Sequence, residues 1–227
     1  ELSSFESAQI RNDIIIGYSP DRDELWISHW GRRINQDPCG NQVFEHRGYD
    51  DDLLKMLLLN FSDKTEGVTG KFGLGFKSVF LASDRAKVVS GTLGLEVIGA
   101  VYPRELTREE FVSIERRYLD SNADEGTAIV LPEIESSAAQ SILSFFEERA
   151  LYLIAFSRYI KNITIAGINS ETVYKWSEKK IQGTSDVYCG VSKSESESFS
   201  ALLLGGTTRR CLLGLGKSGF TPLPPSC

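Results

Sequence analysis

No apolar stretch in this chain approaches the roughly 18 residues needed to cross a bilayer, and the first residues lack the charged, apolar, small-residue order of a secretory signal. A soluble, cytoplasmic protein is therefore expected. Basic residues are in deficit: 25 Lys and Arg against 31 Asp and Glu give a formal charge of -6, which excludes a general polyanion-binding surface and sets nucleic acid aside. The four cysteines, Cys39, Cys189, Cys211 and Cys227, lie far apart, with no CxxC pair and no histidine at ligand spacing. They read as free thiols rather than as a zinc site, and no metal site is expected from them. No GxxxxGK[ST] string is present, so a P-loop is excluded.

What the chain does have is an ordinary globular composition, 41% hydrophobic and 25% charged, over 227 residues. That length suffices for one sizeable core, or for one core and the start of a second domain. The opening at Glu1 in a helical pattern and the proline-rich close at 222–227 suggest a fragment of a larger protein.

Strand patterning begins with DIIIGY at 13–18, turns at 19–23, and resumes at 24–28, a hairpin feeding Gly31. The polar stretch 31–48 is too long for a simple connection and reads as a lid or binding loop. Acidic residues at 50–52 precede Leu53, Leu54, Met56, Leu57 and Leu58, which predicts a helix. Helical character returns over 76–82. Paired strands are predicted at 87–90 and 93–101 across Gly91-Thr92, and another at 127–131 ended by Pro132. A long amphipathic helix is predicted over 136–159, with an apolar stripe of Ile142, Leu143, Phe146, Ala150, Leu153 and Ile154, leading to a strand at 162–166. Beyond about 175, short β segments separated by Gly and Ser clusters look like the opening of another domain.

The strongest local signal is GKFGLGFKS at 70–78. Glycines at this spacing let the backbone approach a ligand closely, and amides at the following helix start offer donors and partial positive charge to phosphate. The polar residues at 65–69 exclude the buried strand that a dinucleotide fingerprint requires.

This stretch resembles the second glycine box of the GHKL ATPases, especially their sacsin-like and heat-shock-chaperone branches, and Ser62 and Lys64 match the sacsin-like style. LWISHWG at 25–31 resembles the first glycine box, a strand ending in DxGxG, and GTAIVL at 126–131 resembles the late strand whose threonine contacts adenine. The three matches fall in family order, and the long helix and the strand at 162–166 follow it too, so the resemblance spans about residues 1–175.

The resemblance implies a Bergerat ATP-binding fold over 1–175, an α+β two-layer sandwich whose mostly antiparallel mixed sheet is covered by helices. A β-rich second domain would begin at 176–227. ATP would lie between sheet and helices beneath a mobile lid. His29, standing where the family has a buried aspartate, and Thr127 would meet the adenine, with Gly31 closing the first box. Gly70, Lys71, Phe72, Gly73, Leu74, Gly75, Phe76 and Lys77 would surround the phosphates, and 32–48 would be the lid or its hinge, with Arg32, Arg33 and Arg47 in reach.

The opening residues align with the family's ExxxN box. Glu1 then takes the general-base position, and Phe5 replaces the asparagine that holds Mg2+. The implied function is ATP binding with slow hydrolysis by water attack, coupled to lid closure in a larger, chaperone-like protein. The alternative is a degenerate GHKL module that senses nucleotide or serves as a protein-interaction or dimerisation platform. Implied partners are ATP and ADP, the remaining domains of the parent protein and a second copy of the chain, with no membrane.

Overall fold

Three consecutive β-branched residues, Ile14, Ile15 and Ile16, make Asp13–Ser19 a strand, β1. The computed structural model describes residues 13–31, 33–34, 52–57, 76–119, 126–157, 160–168, 170–180, 187–193, 201–205, 210–216 and 219–222. In it β1 turns back into β2, Glu24–His29. The turn is pinned at Asp23, which has a positive φ of 52°. Its carboxylate accepts from the Tyr18 hydroxyl at 3.0 Å, and its carbonyl accepts from the Ile134 amide at 2.9 Å. Gly17 is required inside β1, because a Cβ there would stand 2.5 Å from the Trp26 ring, which itself stacks on Tyr118.

The described residues form two compact units, one within Ile15–Ser141 and the other within Ile142–Cys227 together with Asp13 and Ile14. In the first unit β2 pairs with β6, Thr127–Leu131, which pairs in turn with β3, Arg85–Ser90. Next come β4, Leu93–Ile98, and β5, Tyr102–Glu105. All four pairings are antiparallel.

Because side chains alternate across a strand, the register sorts the sheet into two faces. One carries Ile129, Val88, Leu95 and Val97, packed against Leu53, Met56 and Leu57 of α1, Asp52–Leu57, and against Phe76 and Phe80 of the 3-10 helix Phe76–Leu81. The other carries Val89, Ala128 and Val130, packed against Phe111, Ile114 and Tyr118 of α2, Arg108–Tyr118. A Val, Leu, Ile, Met or Phe among them contributes about 1.5–3 kcal/mol when fully buried.

The single strand expected at 93–101 ends instead at Ile98. Gly99 and Ala100 take positive φ of 56° and 67°, the Gly99 amide donates to the Asp84 carbonyl at 2.8 Å, and the chain returns as β5. Pro103 is tolerated there because β5 is the last strand of the order. The helix α2, which sequence periodicity did not announce, starts with a capping box. The Thr107 hydroxyl accepts from the Glu110 amide, and the Glu110 carboxylate accepts from the Thr107 amide. At its other end the Ser28 hydroxyl donates to the Tyr118 carbonyl at 2.7 Å, fixing the helix to β2.

An ion network closes the β3–β4–β5 side of this face. Glu96 is completely buried between Arg85 and Arg104, with nitrogen–oxygen distances of 2.8 and 2.7 Å. Arg104 also grips Glu110 with two nitrogens, at 3.1 and 2.9 Å. A buried carboxylate survives only when bonded in this way, and the shared Arg104 joins α2 to the sheet.

The division between the units falls within α3, Ser136–Phe156. Ala139, Leu143, Ala150 and Ile154 form its buried stripe, whereas Leu153, counted among the apolar residues of the predicted face, is exposed. In the second unit β7, Asn162–Ala166, and β8, Glu171–Lys180, lead to β9, Val187–Lys193, and β10, Ala201–Gly205. The unit continues with β11, Arg210–Gly216, and β12, Gly219–Pro222. These strands pair antiparallel in sequence order, with a register shift between Trp176 and Lys179. The whole is an α+β protein with a mostly antiparallel sheet and helices. Among the described residues no helix is long and apolar enough to cross a membrane.

The Arg104 bonds, then the Thr107 amide, push the pKa of Glu110 down to about 2 from its usual 4.5. A depressed carboxylate stabilises the fold fully above its unfolded pKa and loses that contribution as pH falls through the folded value. Glu110→Gln is therefore expected to be less stable than the native chain at pH 7 and to show a flatter loss of stability between about pH 4.5 and pH 2. Urea titrations of both proteins across that range check this, and parallel acid limbs would disprove it.

Candidate functional site

β2 ends at His29, β6 begins at Thr127 and β3 ends at Ser90, so three strand ends meet at one margin of the sheet. The register places His29 opposite Thr127 and Thr127 opposite Ser90. Directly opposed residues of antiparallel strands project to the same face, here the face that carries Ile129 and Val88. Two residues singled out by the sequence, more than ninety positions apart in the chain, thus share one polar rung.

The rung is internally bonded. The Ser90 and Thr127 hydroxyls lie 2.6 Å apart, and the Ile34 amide donates to Ser90 Oγ at 3.0 Å. Thr127 is only 1% exposed and Ser90 2%, so these bonds satisfy groups that water cannot reach. The same contacts reveal the course of the chain after β2. It crosses the ends of β6 and β3, where Ile34 reaches Ser90 and the Arg33 stem lies against Gly91 of the β3–β4 turn. A Cβ on Gly91 would sit 2.9 Å from Arg33 Cδ, and its φ of 58° suits glycine.

His29 is half-buried, and its Nδ1 accepts the Gly31 amide at 3.3 Å. Burial lowers its pKa below the usual 6.5, so the imidazole is neutral at pH 7. With Nδ1 accepting, the single ring proton lies on Nε2. Gly31 thus acts through its backbone, the amide fixing the histidine tautomer.

Lys77 and Phe76 stand elsewhere on this face. The Lys77 ammonium donates to the Leu57 carbonyl at 2.7 Å and to the Ala100 carbonyl at 3.1 Å. It thereby joins Leu57 of α1 to the β4–β5 turn. Phe76 meets Phe80 edge to face at 5.8 Å within the apolar cluster. The ends of the segment 58–75 are therefore cross-tied, through Leu57 on one side and Lys77 on the other.

Glu1, Phe5, Arg32, Arg47, Ser62, Lys64, Gly70, Lys71, Phe72, Gly73, Leu74 and Gly75 lie outside the described residues. Of the sequence-derived site residues, the structure brings His29, Gly31 and Thr127 to one place and puts Lys77 on carbonyl oxygens. Ser90 and Ile34 were missed. Ser90 carried a usable signal, since it closes the strand before the Gly91-Thr92 turn and is thereby paired with whichever strand lies next to β3. Among the described residues no three His, Cys, Asp or Glu gather to hold a metal ion.

The clamp makes a specific demand on Lys77. Lys77→Met keeps the stem and removes the ammonium, stripping two carbonyls of a charged donor, and is expected to destabilise the first unit by about 1–3 kcal/mol. Urea unfolding followed by Trp fluorescence measures this, and an unchanged midpoint would mean that the clamp holds nothing.

No family model matches the chain and no curated protein matches it.

Proposed function

We propose that the first unit is a Bergerat-type nucleoside-triphosphate-binding domain, ATP being the ligand to test first, with slow hydrolysis coupled to lid closure in a larger cytoplasmic protein. The observation that carries this reading is the rung. His29 and Thr127, identified separately by their resemblance to the two base-contacting positions of GHKL ATPases, are register partners on one face of the sheet. The same face is covered by α1 and by the 3-10 helix that directly follows the glycine string.

Further support comes from the path of the chain. The polar stretch read as a lid leaves β2 at Gly31 and passes over Ser90 and Gly91, so its base is anchored on the rung. Ile34 packs against the apolar cluster and would hold the base of such a segment, and movement beyond it would alter access to His29. The phosphates would extend toward 70–77, where successive amides suit anions. Glu1 would serve as base.

A second reading is favoured by Lys77. Its ammonium is committed to two carbonyls, and with Phe5 at the expected magnesium position this suits a module that senses nucleotide without turning it over. Such a module would act through dimerisation or through the other domains of its parent protein.

Calorimetric titration of the chain with ATP and a non-hydrolysable analogue, each with and without magnesium, tests both. Magnesium-dependent binding in the micromolar range, weakened about tenfold in Thr127→Val through loss of the one hydroxyl, supports the ATPase reading. Magnesium-independent binding moves the chain to the sensing module. Absence of binding in every arm overturns both.

A further inference from the structure

The chemistry at His29 bears on which base the site would take, an inference that rests on the nucleotide-binding reading above. We propose that the rung prefers a purine with an acceptor at position 6, as in inosine or guanine nucleotides, over one with an amino group there.

Hydrogen-bond polarity decides this. A carboxylate at the end of β2 would only accept, and would suit an exocyclic amino group. His29 is different, because its Nδ1 is already used by the Gly31 amide at 3.3 Å. Among the described residues it makes no other hydrogen bond. What it offers a ligand is the Nε2 proton. The Ser90 and Thr127 hydroxyls are buried and bonded to each other at 2.6 Å, so the selecting group of the rung is His29, whose Nε2 proton matches a 6-oxo group. A 6-amino group would set donor against donor, leaving polar groups unpaired in a half-buried place. Burial, which keeps the imidazole neutral, preserves this arrangement, because a protonated ring would lose the Gly31 bond.

Inosine triphosphate and ATP make the discriminating pair, since they differ only at position 6 and in the N1 proton that accompanies it. Titrated separately into the 227-residue chain, inosine triphosphate is expected to bind about tenfold more tightly. His29→Asp, which replaces the donor by an acceptor, is expected to reverse the order. Equal affinities, or tighter binding of ATP by the native chain, would overturn the base preference and leave the nucleotide-binding reading standing. A native preference for inosine triphosphate that persists in a folded His29→Asp variant would also overturn it, because the selectivity would then arise elsewhere. If neither nucleotide binds the native chain, the nucleotide-binding reading itself fails and the preference fails with it.

Discussion

Everything at the candidate site depends on the register between β2, β6 and β3. A slip of one residue in β6 would bring Gly126 or Ala128 opposite His29, turn Thr127 to the other face and send Ile129 toward α2. Such a slip is opposed by both apolar layers at once. Val130 and Ala128 are completely buried on the α2 face, while Ile129 packs with Val88 on the other. Fixing the core therefore fixes the polar rung, with no separate device needed to align residues more than ninety positions apart.

The two faces of this sheet are stabilised differently. The α2 face is closed by apolar packing and by fixed polar bonds: the Glu96 fork, the capping box and the Tyr118 hydroxyl on Glu24 at 2.6 Å. Burial, followed by that carboxylate, pushes the Tyr118 pKa above its usual range, so the phenol remains a donor. The opposite face ends in hydroxyls and an imidazole. Among the described residues it is covered by α1 and the 3-10 helix, and Lys77 joins Leu57 of α1 to the β4–β5 turn.

Local pattern was enough for the elements whose signals are local. Ile14, Ile15 and Ile16 beside a polar turn, Thr127–Leu131 before Pro132, and Asn162–Ala166 are strands as patterned. The helix α2 was missed because Phe111, Val112, Ile114 and Tyr118 are thinly spread among charges, and its apolar stripe is narrow. The Thr107-x-x-Glu110 box announces that helix, and only the cap gives it away. Lys77 shows the reverse limit. Its neighbours in sequence are glycines that suggest phosphate, while its bonding partners lie 20 and 23 residues distant, at Leu57 and Ala100. No window of sequence contains that clamp. His29 was singled out by resemblance, but the position of its ring proton depends on the Gly31 amide, which is a matter of coordinates.

Electrically, the rung is neutral: an uncharged imidazole and two hydroxyls. Neutral groups discriminate among bases by the direction of their hydrogen bonds and do little to bind a polyanion. A triphosphate would have to be met by other groups, and the chain's net charge of -6 supplies no general attraction. The burden falls on backbone amides and on whatever cations the glycine string presents. With its ammonium on the Leu57 and Ala100 carbonyls, Lys77 would have to leave both to meet a phosphate, so under the proposed reading phosphate binding and this clamp would compete for one charge.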